Sequence, residues 1–88
     1  MDYERLRQAR KRIVGTKQTT KAVQRNQVKV VYVAADAEEK VVGPLLALCK
    51  EKNVEVITVD SMAELGKACG IQVGSAAAAI LEEAESQA

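Results

Sequence analysis

The segment Gly15-Thr16-Lys17-Gln18-Thr19-Thr20-Lys21 concentrates the side chains best suited to recognising another molecule. Gly15 can stop one helix and Thr16 can cap the next. A helix start presents unpaired amides and the positive end of a dipole, both attractive to anions. Lys17 and Lys21 are one turn apart on such a helix, so their ammonium groups share a side. Lysine can donate to guanine O6 and N7, and glutamine can both donate to and accept from a base edge. The same residues also describe a capped helix that is merely exposed to solvent, and the segment alone does not separate the two.

Catalytic chemistry finds little support. The chain has no histidine, which removes imidazole acid–base catalysis and Ser–His or Cys–His nucleophile pairs. Asp36, Glu38 and Glu39 could form a carboxylate pair, but a solvated loop entering a helix explains them better. Ser61 fits a helix cap better than a nucleophile. Gly66-Lys67 matches the end of a phosphate loop, yet that pattern requires glycine at Ser61 and Ser or Thr at Ala68. Gly66, Gly70 and Gly74 are read instead as a close helix approach, a helix stop and a mobile loop. Cys49 and Cys69 belong to no CxxC and are expected to be buried, reduced thiols. The expectation is a protein that is not an enzyme, with no catalytic residues, no cofactor and no metal.

The net charge is only +1, but it is unevenly distributed. Residues 1–25 carry eight Lys and Arg against Asp2 and Glu4, a net of +6, and the rest of the chain carries five Lys against ten carboxylates, a net of −5. Such segregation suits a polyanion-facing end and a solvated opposite side, although an ordinary basic helix would look alike. Single-strand readers stack bases on aromatic rings. This chain has only Tyr3 and Tyr32, and Tyr32 falls in a strand that looks buried. A basic surface without stacking platforms points to recognition by shape and backbone, as in structured RNA.

These residues need elements to position them. Apolar residues form 48% of 88, enough for one domain with its own core. No apolar run reaches the roughly 20 residues of a membrane span, and the amino end lacks the apolar centre of a secretory signal. A soluble, cytoplasmic monomer is expected. Asp2 can cap a first helix running to about Val14, with Leu6, Ala9 and Ile13 as its stripe. A second helix should run from Thr16 to about Arg25, burying Ala22 and Val23. Val28–Ala34 reads as a buried strand. Pro44 tolerates only a first turn, placing the next helix at about Val42–Lys52. Val54–Val59 alternates as a strand, and Ser61 with Glu64 has capping-box spacing for a helix ending at Gly70. Ser75–Ala88 has helical propensity, but a sheet between helix layers would accept a strand at Ala76–Leu81, and strand is the reading adopted.

Three segments together resemble a known family. They are Gly15–Lys21, then Val33-Ala34-Ala35-Asp36-Ala37, then Leu65-Gly66-Lys67-Ala68-Cys69-Gly70 followed by Ile71-Gln72-Val73-Gly74. The chain is similar to the kink-turn RNA-binding ribosomal proteins, the superfamily of L-seven-Ae and L-thirty-e, and most of all to its short bacterial, YbxF-like members. The resemblance implies an α/β fold, a three-layer α/β/α sandwich around a small mixed four-stranded sheet, in one domain over residues 1–82 with an acidic tail at 83–88. It implies as partner a structured RNA containing a kink-turn, a helix–bulge–helix bent by tandem G·A pairs, and an association with the ribosome or another ribonucleoprotein. Carried over, Gly15, Lys17, Gln18 and Lys21 would meet the guanines, with Thr16 and Thr19 on the phosphate side. Ile71, Gln72, Val73 and Gly74 would pack against bases flipped from the bulge, Glu38 would lie near it, and Asp36 would be structural. Many relatives carry Asn and Glu where this chain has Lys17 and Gln18. The competing reading is a ribosome-associated protein-interaction module whose acidic face docks a partner and whose RNA binding is incidental.

Overall fold

The computed structural model describes residues 3–83. In chain order the elements are α1 (Glu4–Gln8), β1 (Lys11–Val14), α2 (Thr16–Gln24), β2 (Val30–Ala34), α3 (Glu39–Glu51), β3 (Glu55–Val59), α4 (Met62–Ala68) and β4 (Ala77–Glu82). The strands form one sheet in the order β1-β4-β2-β3. β4 runs antiparallel to both β1 and β2, and β2 runs parallel to β3. One core cluster gathers Leu6, Tyr32, Leu65 and Ile80, between α1 and α4 and one face of the sheet. The other gathers Val23, Val31, Leu45 and Ala79, between α2 and α3 and the opposite face. The result is a three-layer α/β/α sandwich around a mixed four-stranded sheet, as the resemblance implies.

The alanine-rich end settles as a strand. Ala77, Ala78, Ala79 and Ile80 are all fully buried, because β4 is interior and has helices on both faces. Side chains this small let both helix layers approach, and packing overrides the helical propensity of alanine.

The first helix is shorter than the sequence suggests. It ends at Gln8, and Lys11–Val14 is a strand rather than its last turn. Leu6, Ala9 and Val14 pack on one face of the sheet while Ile13 packs on the other, a separation that strand alternation produces and a helical stripe would not. Pairing with β4, in the register Ile13↔Ala79 and Val14↔Ala78, satisfies backbone groups that would otherwise line a buried edge. The expected cap by Asp2 lies outside the described residues, as does the tail beyond Glu83.

Two further boundaries differ. α3 begins at Glu39, one turn before Pro44 would set it, and contains the proline. Pro44 sits on the exposed side, while Val42, Leu45 and Cys49 are buried together on the inner face. Burying that face offsets the one helical bond the proline omits. α2 is preceded by Gly15 as its N-cap, with no side-chain cap from Thr16.

β1, β2 and β3 share a direction and β4 opposes them, so one end of the sheet collects the exits of three strands and the entry of the fourth. At that end lie the start of α2, the chain leaving β2 at Ala35, the start of α4 and the chain entering β4 at Ser75.

Candidate nucleic-acid interface

Gly15 leaves β1 at φ 107° and ψ 142°, a backbone conformation that only glycine adopts without strain. A Cβ there would meet nothing within 4 Å, so the glycine is required by dihedral rather than by space. Its amide donates to the carbonyl of Ala77 at 2.9 Å, and its own carbonyl accepts from the Thr19 amide at 2.9 Å. No side chain caps α2 and no acid lies in its first turn, so its leading amides stay available to an anion.

Lys17, Gln18 and Lys21 are exposed on this helix. Thr19, expected on the phosphate side, is instead fully buried. It shares the inner face with Ala22 and Val23, and a hydroxyl in that position cannot reach a phosphate. Thr16 begins the helix half-buried, and its carbonyl accepts from the Thr20 hydroxyl at 2.7 Å.

The second patch is the loop after α4. Gly70 stops that helix at φ 80°, and the chain folds back so closely that a Cβ on Gly66 would lie 2.0 Å from the Val73 carbonyl oxygen. A Cβ on Gly74 would meet Met62 at 3.2 Å. The expected mobile glycine is therefore a tight packing contact against the start of α4. Ile71 is half-buried and its amide donates to the Gly66 carbonyl at 3.0 Å. Gln72, Val73 and Gly74 are exposed, and Val73 retains 71% of its surface. Ala63 and Lys67, one turn apart on α4, form the other wall of a groove of about 410 Å³ along this loop. Lys67, weighed in the sequence only as the end of a phosphate loop, lines this groove beside Ile71, Gln72, Val73 and Gly74.

The two patches are joined by one acceptor. The Ala77 carbonyl takes the Gly15 amide at 2.9 Å and the Ser75 hydroxyl at 2.7 Å. Ser75 in turn donates its amide to the Met62 carbonyl at 3.0 Å, and the Met62 amide donates to the Asp36 carboxylate at 2.8 Å. Asp36 is thus structural, tying the loop after β2 to the start of α4 beside the Ser61 cap. Glu38, the N-cap residue of α3, is exposed and makes no side-chain cap bond. The start of α2, the loop 71–74 and the loop 35–38 therefore occupy one end of the sheet.

Elsewhere, Cys49 and Cys69 are buried and free, and they lie on opposite faces of the sheet. Among the described residues no three potential metal ligands gather, and no helix is long and apolar enough to cross a membrane.

Comparison with known proteins adds three findings. The profile of the ribosomal protein L7Ae/L30e/S12e/Gadd45 family matches residues 2–88. The chain is 49% identical over 81 residues to the RNA-binding protein YbxF of Geobacillus stearothermophilus, covering 92% of this chain and 99% of that one; an RNA-binding protein of Bacillus pumilus gives the same figures. Among solved structures, the Giardia lamblia 15.5kD RNA binding protein superposes with a TM-score of 0.76 at 32% identity, covering 85% of this chain and 62% of that one.

Proposed function

We propose, given that the chain belongs to the ribosomal protein L7Ae/L30e/S12e/Gadd45 family, that it is an RNA-binding protein whose target is RNA bent at a kink-turn. It acts as a monomeric single domain of residues 1–82 and works as part of the ribosome or another ribonucleoprotein. The observation that carries this reading is the shared Ala77 carbonyl, which fixes the start of α2 and the end of the loop 71–74 to one point. An anion-seeking helix start with exposed Lys17, Gln18 and Lys21 thereby sits at the same end of the sheet as an exposed apolar loop. A straight duplex has no use for both together. A bent one offers a crowded backbone and guanine edges to the first and unstacked bases to the second.

In this mechanism the free RNA exchanges between extended and bent forms, and the protein contacts only the bent form, so binding shifts the population. Lys17 and Gln18 read the guanines of the G·A pairs, Gly15 lets the backbone approach, and Thr16 and Lys21 meet phosphates. Ile71, Gln72, Val73 and Gly74 pack against extruded bases, with Glu38 beside the bulge. Thr19 supports the helix from inside. The Lys67 ammonium, on the wall opposite Val73, holds the phosphate of an extruded nucleotide.

The test is a kink-forming RNA labelled at the ends of its two stems. Energy transfer between the labels should rise to a plateau at one protein per RNA. Tight binding with unchanged transfer would contradict the reading and favour an interaction module that ignores RNA shape.

A further inference from the structure

A second groove starts beside Gln18 and leaves the interface along the outer side of α2 and β1. Its first part is lined by Ile13, Gln18, Lys21, Arg25, Gln27 and Leu81. Its second part, lined by Lys11, Asn26, Gln27, Val28, Lys29 and Glu82 among others, continues from the same Gln27 and also shares Leu81. The two form one track. It runs the length of α2, roughly 13 Å at 1.5 Å per residue, from the functional end of the sheet to the opposite end, where β1 and β2 begin.

Lys21, Arg25, Lys11 and Lys29 line this track against one carboxylate, Glu82. All four cations are exposed, and none holds an ion pair among the described residues. The β1 register shifts between Lys11 and Arg12, and such a bulge re-aims the side chains beside it. The Arg12 guanidinium goes to the far face, donating to the carbonyls of Arg7 and Cys69 at 3.2 and 3.4 Å, and Lys11 is left on the groove side. The floor is fixed as well. The Lys52 ammonium donates to the Gln24 carbonyl and to the Asn26 side chain, both at 3.2 Å, and the Gln27 amide donates to the Ala22 carbonyl at 3.0 Å. Among the described residues the exposed large apolar side chains, Val41, Leu46 and Val73, all lie outside this track. A protein partner would want such anchors at its centre. A phosphate backbone would not.

We propose that this track is a second contact surface, which holds the phosphate backbone of a helical stem as it leaves the kink, with Lys11 and Lys29 as its distal contacts. The inference rests on the RNA-binding reading above and extends it beyond the bend. It makes affinity depend on the length of one stem.

Binding of the wild type and of Lys11→Gln/Lys29→Gln is measured by titration against KCl. The probes are kink-forming RNAs in which each stem in turn is cut to a few base pairs or extended by a full helical turn. For the wild type, extending one of the two stems should tighten binding and steepen the salt dependence. The double variant should lose that gain, with a log–log salt slope lower by about 1 to 2, while its binding to the RNA with both stems short stays at the wild-type value. Equal affinity for short and extended stems, or an equal loss on both by the variant, would overturn the proposal and leave kink recognition standing. A wild type indifferent to the kink itself would overturn both. Because both substitutions are at exposed positions, thermal unfolding of the variant should match the wild type and assigns the loss to contact rather than folding.

Discussion

At the residue scale, the proposed interface turns on what Lys17 and Gln18 can offer a guanine. A carboxylate at position 18 would accept guanine N–H groups through charge-assisted bonds, roughly twice as strong as neutral ones. Gln18 offers a neutral acceptor and Lys17 adds a cation, so more of this protein's affinity should come from displaced counterions. The variant Lys17→Asn/Gln18→Glu should bind kinked RNA with a shallower dependence on KCl, and equal slopes for the two proteins would count against this assignment. Gly66 makes a different demand. Its missing Cβ leaves room for the Val73 carbonyl, which a methyl group would approach to 2.0 Å, so backbone must move. Gly66→Ala should cost about 1–3 kcal/mol, as overpacked sites do, read as a lower urea midpoint. It should also weaken RNA binding beyond that loss, because the displaced segment is the loop itself. The burial of Thr19 shows how residue-level information can be present and unused: its spacing of three and four from Ala22 and Val23 places it on their face.

At the element scale, α2, β2, β3 and α4 could be read from sequence because local pattern and tertiary role agree in each. Ser61 illustrates that agreement. Its side chain accepts from the Glu64 amide at 3.1 Å, as the capping-box spacing suggests, and the adjacent Met62 both receives Ser75 and donates to Asp36. Ser61→Ala should therefore destabilise the fold by about 1 kcal/mol; a midpoint unchanged in urea would mean that the Asp36 bond alone holds this helix start. β1 was not legible in this way. It is a four-residue edge strand whose reason for existing is the unpaired side of β4, more than sixty residues away in sequence, and no local periodicity contains that. α3 shows a smaller version, where the buried row Val42, Leu45 and Cys49 outweighs a proline. The site followed the same division. The helix start was readable as a local signal and the loop 71–74 was picked out only through the family resemblance, whereas their junction at Ala77 came only from sheet order.

At the scale of the whole molecule, charge and burial are separated in ways that set its response to solution conditions. The basic first quarter of the chain supplies α2 and β1, and therefore both the helix start proposed to face the kink and the track beside it, while the remainder carries a net of −5. Attraction to RNA is thus directional, and screening should weaken binding steeply over the range where surface charges lose sight of each other. Burial also acts on the thiols. Desolvation pushes Cys49 up, and it pushes Cys69 up against a smaller opposing effect of Arg12. Both thiols then hold their protons more tightly in the folded protein than in the unfolded one. Their contribution to stability is complete below the ordinary thiol range and is lost as pH rises through the folded values. The urea midpoint should accordingly fall as pH rises through and beyond the usual thiol range, and should fall less in a Cys49→Ala/Cys69→Ala variant. The central claim, however, is about recognition: the start of α2 and the loop 71–74 act as one surface that fits RNA folded back on itself. The most direct measurement is the affinity for a kink-forming duplex beside that for the same duplex with its G·A pairs replaced by Watson–Crick pairs. A loss of at least tenfold, about 1.4 kcal/mol, is predicted on replacement, and equal affinity for the two RNAs would contradict the account.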